Sequence, residues 1–135
     1  HYDRRRQRQM CIRDRLGIDN LVVYPGAELP VIEAIKLGAP GCISATANLN
    51  GGDISKVINF CHDNEWEKAE DLHKKVTKVR LLFQDYAPIP AQKGLLAKKT
   101  KISEWLNVRP PLKSISNDKV SELANTLNNE FGYSY

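Results

Sequence analysis

Cysteine is scarce in this 135-residue chain: Cys11, Cys42 and Cys61 are odd in number and show no C-x-x-C spacing. That excludes a disulfide framework and a cysteine zinc site, and it makes a reducing cytoplasm the expected location. Long apolar runs are lacking too. None approaches the roughly 18 residues that a membrane-spanning helix needs, and the first residues hold no apolar signal-peptide core. No internal repeat occurs, and no low-complexity stretch outside the N-terminal residues. The length suits one domain, since domains most often run to about 100–150 residues.

A basic excess is also missing from most of the chain, despite a net charge of +4. Residues 1–15 carry six arginines against Asp3 and Asp14, which is the whole excess; the remaining fourteen Lys+Arg and fourteen Asp+Glu cancel. An arginine-rich arm of this kind can bind nucleic acid or an anionic membrane, and a small basic helical nucleic-acid-binding module is the alternative reading of the chain. The segment Met10-Cys11-Ile12-Arg13-Asp14-Arg15 resembles a translated sequencing adaptor, so residues 1–15 are expected to be a non-native tail, with the true start upstream of Leu16. No nucleic-acid or membrane partner is then expected.

What is present is organised around Gly38-Ala39-Pro40-Gly41-Cys42-Ile43-Ser44-Ala45-Thr46-Ala47-Asn48. The β-branched and aromatic run Leu21–Tyr24 predicts a buried strand ended by Pro25-Gly26. Leu29, Ile32, Ile35 and Leu37 then predict a short helix, with Pro30 in its first turn and Gly38 past its end. Cys42–Ala45 predicts a second strand, so the three elements form a βαβ unit with parallel neighbouring strands. In such units ligands sit in the loops that follow strands. A polar loop, Asn48-Leu49-Asn50-Gly51-Gly52, comes next.

Four helices follow. Asp53 is placed to cap one carrying Ile54, Val57, Ile58 and Cys61, broken near Asn64. A long amphipathic helix runs from Trp66 to Leu82 or Phe83. Pro88-Ile89-Pro90 opens a third, containing Leu95, Leu96 and Ala97. Arg109-Pro110-Pro111-Leu112 predicts an extended connector. The fourth helix holds Val120, Leu123, Ala124 and Leu127, is capped by Ser116 or Asn117, and leaves Phe131–Tyr135 frayed. Two parallel strands do not stand alone as a sheet, so the chain is either an α-rich oddity or the end of something larger.

The run Gly38–Asn48 resembles the G-A-x-G-x-I-S-x-x-A-N eighth strand of the dihydrodipicolinate synthase/N-acetylneuraminate lyase family of class I aldolases. Tyr24-Pro25-Gly26-Ala27-Glu28 is similar to the family's loop after strand seven. Tyr86-Ala87-Pro88-Ile89-Pro90-Ala91-Gln92-Lys93 resembles its I-P-x-x-K helix start, and Arg109-Pro110-Pro111-Leu112 its connector before the last helix. The four matches stand in family order across about residues 17–129. Gly51-Gly52 departs from the pattern, where many members have a proline.

The resemblance implies an α/β fold of the (β/α)8 barrel class. Strands seven and eight with their connecting helix would lie in residues 16–52, and barrel helix eight with a C-terminal helical extension in 53–135. It implies a lyase or synthase that joins or separates a 2-oxo acid, usually pyruvate, and an aldehyde through a Schiff base on lysine, with no metal or organic cofactor, in a homodimer or homotetramer. The family's Schiff-base lysine (strand six), shuttle tyrosine (strand five) and carboxylate-binding loop (after strand two) have no counterpart in this sequence. Lys36 and Lys93 fall on helices. No catalytic residue is therefore expected here, and the chain alone is expected to be inactive. Substrate-binding positions carried over are Ile43, Gly26, Glu28 and Ser44. Glu28 equally suits a helix N-terminus, and Ser44 a core hydroxyl. Cys42 and Cys61 read as small buried residues, His62 and His73 as surface residues, and Lys74-Lys75 and Lys98-Lys99 as solvated helix faces.

Overall fold

The computed structural model describes residues 21–135. The arginine-rich tail, and with it the nucleic-acid reading, lies outside the described residues. The first helix, α1 (Val31–Lys36), starts at Pro30 and ends before Gly38, whose φ of 89° is the left-handed region that glycine enters without strain.

The expected strands are corrected. Among the described residues there is no β-ladder: Leu21–Tyr24 and Cys42–Ser44 lack regular structure, and the two stretches are tied by Ile43 N–H to the carbonyl of Pro25, just after Tyr24, at 3.0 Å. Among the described residues no further strand flanks these two short segments, and a pair so short does not build the repeated bonds that hold a sheet. Val22, Tyr24 and Ile43 are consequently exposed.

The polar loop and the cap at Asp53 are corrected as well. Helix α2 (Ala47–His62) begins six residues before Asp53 and runs through Gly51-Gly52, with a kink at Asn50 (φ −116°, ψ 28°). The Thr46 carbonyl starts it by accepting from Leu49 N–H (2.8 Å) and Asn50 N–H (3.0 Å). Glycine in a helix costs about 1 kcal/mol against alanine, but Leu49 packs on a core from the other end of the chain. Tertiary contact overrides local preference there.

Asn64, at φ 61°, reverses the chain into α3 (Trp66–Leu82), the long amphipathic helix expected from its spacing. One core joins α1, α2 and α3 through Val31, Ile32, Ile54, Val57, Cys61, Ala69 and Val76, so Cys61 is the small buried residue expected. A 3-10 turn, Phe83–Asp85, leads to α4 (Pro88–Thr100), opened by its prolines; a second turn, Ser103–Leu106, follows. The Arg109–Leu112 connector closes a turn, Leu112 N–H to Arg109 carbonyl at 3.0 Å. The last helix is α5 (Asn117–Phe131), with Ser116 at its N-cap position. A second core collects Val79, Phe83, Ala91, Leu95, Val120, Leu123, Ala124 and Leu127. Each Val, Leu or Phe among them is worth about 1.5–3 kcal/mol when fully buried. Among the described residues, no helix is long and apolar enough to cross a membrane.

The expected frayed end is corrected too. Gly132 (φ 72°) ends α5, and Tyr133 and Tyr135 fold back onto the second core. Tyr133 Oη donates to Asp53 Oδ2 at 2.6 Å, and Tyr135 Oη to the Leu49 carbonyl at 2.7 Å. Lys75 is likewise no freely solvated charge, since its Nζ is 2.9 Å from Asp53 Oδ2 and 4.4 Å from the Tyr133 ring centroid.

Candidate functional site: a buried carboxylate between two loops

Glu28 stands in the loop between Pro25 and α1, and its side chain is fully buried. It does not cap α1, which has no side-chain cap. Instead Oε2 accepts from Ser44 Oγ and Oε1 from Thr46 Oγ1, while the two hydroxyl oxygens lie 3.0 Å apart. One carboxylate thus fixes both hydroxyls that precede α2. Hydrogen bonds to an ionised acceptor are roughly twice as strong as neutral ones, so this cluster locks the loop after Tyr24 to the loop before α2.

The main chain of Glu28 is braced from the other side. His73 Nε2 lies 2.9 Å from the Glu28 carbonyl, a bond that requires the proton on Nε2. His73 is half-buried, which corrects its placement on the surface; His62 is exposed as expected.

The four sequence-derived site residues separate into two groups. Glu28 and Ser44 touch directly. Gly26 and Ile43 are exposed beside them, Ile43 at 70% and joined to Pro25 only through its backbone N–H. The Ile43 side chain stands open to solvent among the described residues. Thr46, fully buried, is the member that sequence reasoning missed. Its signal is a second hydroxyl two residues after Ser44.

Cys42 adjoins this cluster but is a poor nucleophile, because burial and then the nearby Glu28 charge push its thiol up to about 11. Neither lysine weighed from the sequence lies free for chemistry. Lys36 Nζ is 3.6 Å from Glu33 and 5.4 Å from the Trp66 ring centroid, and Lys93 Nζ donates to the Asn107 carbonyl.

Behind the cluster, burial raises the Asp53 carboxyl, but the Tyr133 hydroxyl and Lys75 outweigh burial and hold it below the usual range. The buried Asn50 amide lies beside Tyr133 without reaching good hydrogen-bond geometry. Chemically, the arrangement supplies one oriented, part-buried hydroxyl, that of Ser44, and an exposed apolar side chain, Ile43, at the edge of a pinned junction. That can line a binding surface; it offers no activated nucleophile.

The family model described as the dihydrodipicolinate synthetase family matches residues 6–130. The chain is 25% identical over 114 residues to a 4-hydroxy-tetrahydrodipicolinate synthase of Oceanobacillus iheyensis, covering 84% of this chain and 38% of that protein. It superposes on the dihydrodipicolinate synthase of Acinetobacter baumannii, solved with pyruvate, with TM-score 0.70 and 27% identity, covering 90% of this chain and 41% of that one. For N-acetylneuraminate lyase from Fusobacterium nucleatum the TM-score is 0.72 at 21% identity, covering 88% and 40%, a likeness of fold. These neighbours are (β/α)8 barrel proteins, so the fold class is that of the barrel family. The chain spans 38% of the length of the first of these relatives. It belongs to the dihydrodipicolinate synthetase family.

Proposed function

We propose that this chain is the C-terminal part of a pyruvate-type Schiff-base lyase or synthase, an enzyme that makes or breaks a bond between a 2-oxo acid and an aldehyde. The family match over residues 6–130 carries the reading. The geometry agrees with it, because Val22, Tyr24 and Ile43 are apolar and exposed along two pinned segments. Such a row demands a cover, and the remaining strands of a barrel would supply one.

In this reading residues 16–52 hold the last two strand positions of the barrel with their connecting helix, and residues 53–135 hold barrel helix eight and the extension. Ile43 backs the bound 2-oxo acid, Gly26 lets the aldehyde portion approach the main chain, and the Ser44 hydroxyl faces the same edge. Glu28 holds Ser44 in place. The Schiff-base lysine, the proton-shuttling tyrosine and the carboxylate-binding loop lie outside residues 1–135, so the chain alone is inactive. The whole protein works in the cytoplasm as a homodimer or homotetramer; its sedimentation would show which oligomer it forms.

Borohydride trapping tests this. Incubated with pyruvate and borohydride, the present chain keeps its mass, whereas a protein extended upstream gains one reduced pyruvate adduct on a lysine outside residues 1–135. An adduct within the chain overturns the placement of the lysine. No adduct in the extended protein overturns the reaction class.

A further inference from the structure

The kinked first turn of α2 is held from two sides. On one side Thr46 is bonded to Glu28 and supplies the carbonyl that starts the helix. On the other lies the C-terminal end of the chain. Gly132 N–H bonds to the Asn128 carbonyl and Tyr133 N–H to the Leu127 carbonyl, both at 3.1 Å. This left-handed helix end turns the chain back over α2. Tyr133 then bonds Asp53 and lies under Lys75, while Tyr135 bonds the Leu49 carbonyl with Lys99 Nζ 5.0 Å from its ring centroid. Leu49 and Asp53 bracket the kink at Asn50. The last three residues thus seize both ends of the irregular turn, three residues beyond Thr46.

We propose that residues 133–135 form a strap that fixes the conformation of residues 47–53 and, through Thr46, the orientation of Ser44 and Glu28. Tyr133 and Tyr135 are then positioning residues for the candidate site. Calling that site substrate-facing rests on the function proposed above; the mechanical coupling does not. Both rings also pack on the second core, so filling that core is the competing explanation. The hydroxyls separate the two, because removing them leaves the rings in place.

The experiment compares the full chain with Tyr133→Phe, Tyr135→Phe and the double variant, by amide hydrogen exchange and amide chemical shifts. Leu95→Ala, which thins the same core at a residue that makes no hydrogen bond to the strap, is the control. In the double variant, exchange at Leu49 and Asn50 rises about tenfold, and the Ser44 and Thr46 amides shift while residues 66–82 keep their protection. The control loosens α3, α4 and α5 together. Unchanged signals at residues 44–50 in the double variant, or the control's pattern appearing in it, overturn the strap. If the junction shifts as expected but an extended, active protein keeps its KM for both substrates, the strap stands and the substrate-facing reading of the junction falls.

Discussion

Replacing Glu28 with alanine removes one carboxylate and two hydrogen bonds at a position with no solvent exposure. Hydrogen bonds to a charged group contribute about 1.5–3 kcal/mol each, so the gross loss is about 3–6 kcal/mol. Part of this returns, because the carboxylate no longer has to be desolvated, a penalty of several kcal/mol in proteins. The Thr46 hydroxyl, also fully buried, keeps Ser44 as a partner at 3.0 Å. The net expectation for Glu28→Ala is a loss of about 2–4 kcal/mol, or about 6–12 °C in Tm for a chain of this size. Glu28→Gln keeps the volume and one acceptor, and should lose less than half as much. Urea unfolding followed by circular dichroism measures both. A cycle with Thr46→Val isolates the shared bond, with an expected coupling of about 1–2 kcal/mol. A coupling of zero, or a Glu28→Ala variant within about 0.5 kcal/mol of the parent, would refute the view that this carboxylate pins the two loops together.

Gly94→Ala should destabilise by about 1–3 kcal/mol, because an added Cβ would lie 2.6 Å from Val120 Cγ2 and 2.7 Å from Ile115 Cγ2; an unchanged urea midpoint would mean that α4 and α5 are not so close. Gly51→Ala and Gly52→Ala should instead each stabilise by about 0.5–1 kcal/mol, since both glycines are helical and meet nothing within 4 Å; a loss of stability would make the segment a loop. Burial holds the Tyr135 phenol up to about 12, and burial with the Asp53 bond raises Tyr133 further. These phenols keep their protons longer folded than unfolded, so their stabilisation is complete below pH about 10 and falls as pH rises through about 12; with Tyr135 partly open to solvent, screening holds its share to about 1 kcal/mol. Denaturant midpoints measured from pH 8 to 12 should show that fall, and Tyr135→Phe should flatten it.

Elements that depend on their own sequence were legible. The gaps of three and four from Trp66 to Leu82 or Phe83 specify one apolar stripe, and α3 follows it from Trp66 to Leu82. The proline entry to α4 and the spacing of Val120, Leu123, Ala124 and Leu127 work in the same way. Elements that depend on distant partners were not. Gly51-Gly52 reads locally as a break, yet Leu49 is drawn into a core built mostly from residues after 79. Tyr133 and Tyr135 read as a loose end, because Asp53 and Leu49 are 80 and 86 positions away.

The candidate site divides along the same line. Resemblance singled out Glu28 and Ser44 as separate substrate contacts, and it could not disclose that they bond each other. A carboxylate 16 residues before a serine carries no periodic signal, and Thr46 entered only when the backbone brought the two loops together. This changes what each residue can do. With both oxygens of its carboxylate taken by hydroxyls and no exposure to solvent, Glu28 has little left to offer a substrate. Ser44 is only part-buried and Ile43 stands open beside it. Under the proposed function, recognition at this edge falls to Ser44, Ile43 and the main chain at Gly26, while Glu28 sets where Ser44 points.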